Sequence, residues 1–400
     1  MKKLFEKIKY EALLFAAMSF SLFTLAFKKV LVDDILYPLF LVDIKIGFTS
    51  RTLIGTLVGL IWEHPTKANA AVFQCGGLIF GFLLFSLFLG RCIRQAPPEN
   101  RRPLLFIAAL AAVLPLGAPH FVNLFELLDI YWLISALICV FMAKGKVSRY
   151  FAPLFIVLGL WVHYSFLFAF MPLIYIVYFA LCCKEKNKNA YIPAALMVIV
   201  SVSFTLYFML NARNLHSMSY FQFERCLQAK AGDALTRLDA YIAPTFQPAE
   251  WVNNHFELFN PDSSVSTVER MLLGNMKFVL RQNTPLEIIA DLIITAPLLA
   301  FFSALWLRLI KSEREKPLRF LWLLCLISPL VQLFSLLLST DTSRWCSHLL
   351  LSQTIILFSL LAYKMTGLTE ALSALTARFY RYRTLILALA GAYCCLIFVW

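Results

Sequence analysis

Long apolar runs separated by short charged clusters set the pattern of this chain. A helix crossing about 30 Å of hydrocarbon needs roughly 20 apolar residues. Runs of about that size occupy 11–27, 68–90, 103–118, 125–143, 150–163, 166–183, 190–210, 286–308, 318–338, 346–364 and 384–400. None shows the alternation of a barrel strand, so each is predicted as an α-helix. The expected fold is an all-α polytopic membrane protein: one integral membrane domain over 1–400 with about 11 transmembrane helices. The apolar piece at 50–62 is too short to cross, and one crossing must join the first outer loop (28–67) to the basic cluster at Arg91. It is therefore predicted to be re-entrant or interfacial.

Composition supports the membrane reading. Hydrophobic residues make up 60%, charged residues 15%, and the mean hydropathy is +0.75, which excludes a soluble domain of this length. The start, MKKLFEKIKY, has the charged front of a signal peptide, but no small-residue cleavage site follows. It is expected as a retained first helix. The ten cysteines fall mostly inside apolar runs, as at Cys182 and Cys183, without CxxC or metal spacing, and read as small buried residues.

Lysine and arginine orient the chain. Lys2 to Lys9, Arg91 to Arg102, Lys144 to Arg149, Lys184 to Lys188, Arg308 to Arg319 and Lys364 to Arg383 fall in every second connection. The positive-inside rule puts these, and the N-terminus, in the cytoplasm, and the odd number of spans puts the C-terminus outside. The net charge of +13 is then a topology signal and not a mark of nucleic-acid binding.

This orientation gathers polar residues at the outer face. The first outer loop mixes Asp33, Asp34, Asp43, Arg51, Glu63 and His64 with apolar residues, and charge at the edge of a bilayer is usually kept for function. His120, Glu126, Asp129, His163, Arg213, Asp341 and Arg344 are expected at the same face. Several have structural readings. Glu126 and Asp129 share one helix face and could pair with Arg51 or Arg344 to hold helices together. His163, in an aromatic run, reads as a hydrogen-bonded core histidine or as a ligand. Asp341 and Arg344 are spaced for a helix-end ion pair, with Asp341 able to cap the next span. Gly55 and Gly59 give a small-residue packing pattern. The stretch 211–285 is the longest soluble piece, broken by Pro244, Pro248 and Pro261, and mixes aromatic with acidic side chains. It suits a lid over a membrane-edge cavity, or a membrane-surface loop.

There is no Walker loop, GxGxxG, HExxH or GxSxG. A basic N-terminus, one span, an outer loop with the acidic pair Asp33–Asp34 and interfacial helix material, and then many short spans with outer polar groups resemble the GT-C class of membrane glycosyltransferases. Polysaccharide polymerases of the bacterial envelope share this layout. The resemblance implies a multi-pass protein of the bacterial inner membrane, a polyprenyl-phosphate-linked sugar donor, a glycan or lipid-linked acceptor, and an acidic residue of the first outer loop serving the acceptor. Asp33 or Asp34, with Asp43 as a further candidate, would be the base. Arg51 and Arg344, with His64 or Arg213, would surround the phosphate, where a planar guanidinium holds two oxygens. Glu126, Asp129 and Asp341 would orient these groups or bind sugar, and a divalent metal ion held by Asp33, Asp34 and phosphate is a further option. A lipid or oligosaccharide transporter and a non-catalytic envelope assembly partner are the rival readings.

Overall fold

The computed structural model describes residues 2–27, 40–41, 43–44, 48, 52–117, 127–163, 165–186, 188–217, 285–336 and 342–388. Among them the chain is all-helical, without a strand. The α-helices are α1 Lys2–Phe27, α2 Leu53–Ile61, α3 Lys67–Gln95, α4 Pro98–Gly117, α5 Leu127–Ala143, α6 Ala152–Val162 and α7 Phe166–Ala169. They continue as α8 Met171–Glu185, α9 Tyr191–Ser217, α10 Pro285–Ser312, α11 Lys316–Leu336, α12 Thr342–Ala362 and α13 Leu368–Arg381.

α12 is the axis of the bundle. It packs against α3, α4, α8, α10 and α11, and nearly every residue from Arg344 to Ala362 is buried. It is central although it carries Ser347, His348, Ser352, Gln353 and Thr354, and the last three are hydrogen-bonded inside. Gln353 accepts from the indole of Trp306 at 2.7 Å and donates to Ser328 at 2.8 Å, while Thr354 donates to the Leu350 carbonyl. Buried polar groups are tolerated only when hydrogen-bonded in this way. Trp306 of α10 and Trp322 of α11 stack beside this layer with an interplanar angle of 10°.

Outer helices expose apolar faces. On α3, Val72, Ile79, Phe80, Leu83 and Leu87 are exposed, whereas Leu78, Phe82, Phe85 and Leu89 face inward. α9 exposes Ile192, Ile199, Val202 and Leu206, and α11 exposes Phe320, Leu323, Ile327 and Leu330. Two described helices, Lys67–Gln95 and Arg344–Ala362, are long and apolar enough to cross a membrane by length and composition. Asp129–Ala143, Ser148–Val162 and Tyr191–Tyr207 are apolar and shorter. The all-α expectation is met, and two of the expected crossings are both long and apolar enough to span among the described residues.

Three segments differ from expectation. The run 166–183 is not one helix: the chain breaks at Phe170, with φ −127° and ψ −18°, and restarts at Met171. Pro172, which cannot donate to the preceding turn, sits in the first turn of α8, where prolines are accommodated. The carbonyl of Ala169, freed by the break, accepts from Gln332 Nε2 at 2.7 Å and Ser352 Oγ at 3.0 Å. The basic connection after 364 folds as α13, whose Leu368, Ala371, Leu372 and Thr376 are buried at helical spacing while Glu370, Arg378 and Arg381 stay exposed. α9 runs on to Ser217, since no helix breaker follows Leu210, so the first residues assigned to the outer loop are helical. The proposed lid residues 218–284 and the end of the last apolar run, 389–400, lie outside the described residues.

The stretch expected to be interfacial is the nine-residue α2, ending at Trp62 in an extended conformation and separate from α3. Leu53, Ile54, Gly55 and Val58 are buried, and Leu57, Leu60 and Ile61 are exposed. α3 begins at a capping box in which Thr66 and Asn69 bond each other's backbone N–H groups.

Candidate functional site

The first turn of α5 carries Asp129 and the first turn of α12 carries Arg344. Arg344 Nε donates to Asp129 Oδ2 at 2.8 Å and Nη2 donates to Oδ1 at 3.0 Å, a bidentate pair. His348, one turn along α12, brings Nε2 to 3.4 Å from Asp129 Oδ1. Removing two charges from water costs several kcal/mol per ion, and only paired geometry with charge-assisted bonds offsets it. Arg344 also stands at a helix N-terminus, where the macrodipole disfavours a cation by about 0.3–1 kcal/mol. Asp129, at the start of α5, has the favourable sign of the same interaction. The side chains of Asp129 and His348 are 0% exposed and that of Arg344 is 10% exposed. Arg344 is therefore the least buried member of the cluster.

An aromatic wall surrounds the cluster. Arg344 Cζ lies 5.4 Å from the centroid of the Trp132 ring, within cation–π range. Trp132 also contacts the rings of His348 at 5.5 Å and His163 at 5.6 Å, and His348 is met by Trp345 at 5.2 Å and Phe170 at 5.5 Å. The indole N–H groups of Trp132 and Trp345 are buried with no acceptor among the described residues. His163 caps α6, and its Nδ1 accepts the backbone N–H of Ser165 at 3.0 Å, which puts its proton on Nε2. The break at Phe170 leads directly into this cluster, because Ser352, which supports the Ala169 carbonyl, also bonds the His348 carbonyl at 2.7 Å.

The described residues between α1 and α2 are stitched onto the same end. Trp161, at the end of α6, donates its indole N–H to Thr52 Oγ at 2.8 Å and packs edge-on against Phe48 at 4.5 Å. Thr56 accepts the Ile44 N–H at 2.9 Å and donates to the Thr52 carbonyl. Phe40 packs on Phe73, which packs on Tyr131, the neighbour of Trp132.

Of the residues singled out in the sequence, the structure joins Asp129 to Arg344, one of the pairings expected as a structural option, and sets His163 against the same tryptophan. Asp43 is buried between α1 and α2, and Glu63 and His64 are exposed in the turn between α2 and α3. Arg213 belongs to α9, its side chain outside the described set, and Asp33, Asp34, Arg51, His120, Glu126 and Asp341 lie outside the described residues altogether. Sequence reasoning passed over His348, Trp132, Trp345, Gln332 and Ser352. The signal for two of them was present: Arg344, His348 and Ser352 recur at a spacing of four in an otherwise apolar run, one face of a helix. Among the described residues no three His, Cys, Asp or Glu side chains gather as a metal site. No family model, curated protein or solved structure matches this chain.

Proposed function

We propose that this chain is a multi-pass glycosyltransferase of the bacterial inner membrane, N-terminus in the cytoplasm, moving sugar from a polyprenyl-phosphate-linked donor to a glycan or lipid-linked acceptor on the outer side. The observation that carries the reading is the guanidinium of Arg344, fixed by Asp129 and presented at the end of the bundle that also holds the first outer segment. An arginine locked in one orientation suits a leaving phosphate, since it costs no reorganisation as charge develops. The buried indole N–H groups of Trp132 and Trp345 add donors for donor oxygens. The apolar faces of α3, α9 and α11 support a chain surrounded by lipid, because soluble monomers rarely expose such surface.

In the proposed step, Asp33 or Asp34 takes the proton of the acceptor hydroxyl, whose oxygen forms a bond to the anomeric carbon. The bond from that carbon to the phosphate oxygen breaks, and the polyprenyl phosphate leaves with the bonding electrons beside Arg344. The test is transfer of labelled sugar from a polyprenyl-phosphate donor by purified protein in nanodiscs. Asp33→Asn or Asp34→Asn is expected to lower turnover by about 10² to 10⁴ with donor binding kept. Arg344→Lys keeps the charge, loses the fork and raises the donor KM. Full turnover in both aspartate variants would remove the proposed base.

A transporter is the second reading, favoured by the helix break at Phe170 and the buried polar groups around it, since transporters hold substrate at discontinuous helices. Movement of the intact lipid-linked sugar across sealed vesicles, with no transfer to acceptor, would select it.

A further inference from the structure

At the end of the bundle opposite Asp129 four helices finish together: α3 at Gln95, α5 at Ala143, α8 at Glu185 and α12 at Ala362. Their ends frame an open cavity of about 450 Å³ whose polar lining is Gln95, Lys144, Lys184, Glu185, Tyr363 and Lys364. The carboxylate in this lining is already engaged. Arg149 Nη1 and Nη2 donate to Glu185 at 3.0 and 2.8 Å, and these bonds hold the Glu185 carboxyl below its usual range. Lys184 donates to the Tyr363 carbonyl, whereas among the described residues the ammonium groups of Lys144 and Lys364 make no hydrogen bond or ion pair.

Two explanations compete for such lysines. Helix C-termini carry partial negative charge, and basic side chains near them are stabilising whatever the function. Each end carries about half an elementary charge, so four ends amount to about −2, which three ammonium groups exceed. The backbone at Lys364 separates the two explanations further. Lys364 has φ +52°, and α12 ends there with Lys364 N–H bonded to the Leu361 carbonyl and Met365 N–H to the Leu360 carbonyl. This is the Schellman arrangement, in which glycine fits without strain and a side chain is disfavoured. Lys364 thus carries its ammonium into the cavity from a backbone position that glycine would occupy without strain.

We propose that this cavity binds a phosphate group, with Lys144, Lys184 and Lys364 as its cationic wall and the Gln95 amide as a neutral donor. The phosphate belongs either to the headgroup of an anionic lipid or to a soluble phosphate compound. Basic pockets between membrane helices on the cytoplasmic side take lipid headgroups of this kind. The site is separate from the proposed glycosyl transfer and stands or falls without it.

The experiment uses a matched pair of variants in the full-length purified protein. Lys364→Gly relieves the left-handed strain and removes one ammonium from the cavity. Lys186→Gly does the same at the end of α8, where Lys186 has φ +50° and does not line the cavity. Retention of radiolabelled phosphatidylglycerol is expected to fall about tenfold in Lys364→Gly and in Lys144→Gln, the loss of one charge-assisted contact. Lys186→Gly is expected to retain it, and no variant should melt lower than the parent. Displacement of the lipid by millimolar inorganic pyrophosphate assigns the site to a soluble phosphate compound, and resistance assigns it to the headgroup. Equal losses in Lys364→Gly and Lys186→Gly would show diffuse surface charge and overturn the proposal. So would retention unchanged in all three, or a parent protein that binds neither probe.

Discussion

Removing one partner of the Asp129–Arg344 pair leaves a buried charge without its counter-charge, a loss that costs about 3–5 kcal/mol. Asp129→Ala is therefore expected to destabilise the protein by that amount, measured by denaturation in detergent. The double variant Asp129→Leu/Arg344→Met removes both charges and is expected to recover most of the loss, because a buried pair contributes little beyond its apolar replacement. Full stability in Asp129→Ala would show that the carboxylate does not hold the guanidinium. Asp129 and Arg344 were legible in the sequence because a charge inside an apolar run has to be accounted for. Their mutual pairing was one of several options, since sequence does not bring position 129 to position 344. Trp132 and His348 were harder to see, because an aromatic or a lone histidine in an apolar run has a sufficient explanation in packing.

At the scale of elements, α3 packs closely on α1 and α5 through glycines. A Cβ on Gly90 would stand 2.8 Å from the backbone nitrogen of Glu11, and one on Gly81 would stand 2.4 Å from Ile130 Cδ1, while Gly76 faces open space. Gly90→Ala should push α1 from α3 and weaken the Glu11–Arg94 ion pair, 2.7 Å in the parent, at a cost of about 1–3 kcal/mol. Gly76→Ala adds the same methyl group without a clash and should be neutral or stabilise by up to about 1 kcal/mol, because alanine favours helix. Thermal unfolding of the two variants side by side checks the contrast. Of the glycines on α3, those at 77, 81 and 90 approach a neighbour closely, whereas the pair that stood out in the sequence was Gly55 and Gly59. The apolar runs did predict helices. The break at Phe170 escaped because the run is apolar on both sides of it, and α13 escaped because its exposed charges outweigh its four-residue buried stripe.

At the scale of the whole molecule, the two ends of the bundle carry different chemistry. One holds Arg94–Glu11, Arg149–Glu185 and the lysine cavity, and the other holds Asp129, Arg344 and the described residues just before α2. On the proposed orientation the first end is cytoplasmic. Single cysteines near 97, 187 and 314, in a background without native cysteines, should be protected from an impermeant thiol reagent in intact cells, and cysteines near 250 and 342 should be labelled. Labelling of the first group from outside would reverse the orientation. The sorting of charge between ends was legible because it repeats in every second connection, whereas which helix sits at the centre was not, since mean hydropathy rewards lipid contact more than burial in protein.

That central position has a consequence for how the chain is made. α12 is less apolar than α3, and its Ser352 and Gln353 are met by α10, α11 and the break before α8, all of them synthesised earlier. Released alone into lipid it would present Gln353, Ser352 and Arg344 to hydrocarbon. On the proposed membrane reading the socket for α12 has to form before that helix is released into lipid, and a chain ending before Thr342 would leave the socket open.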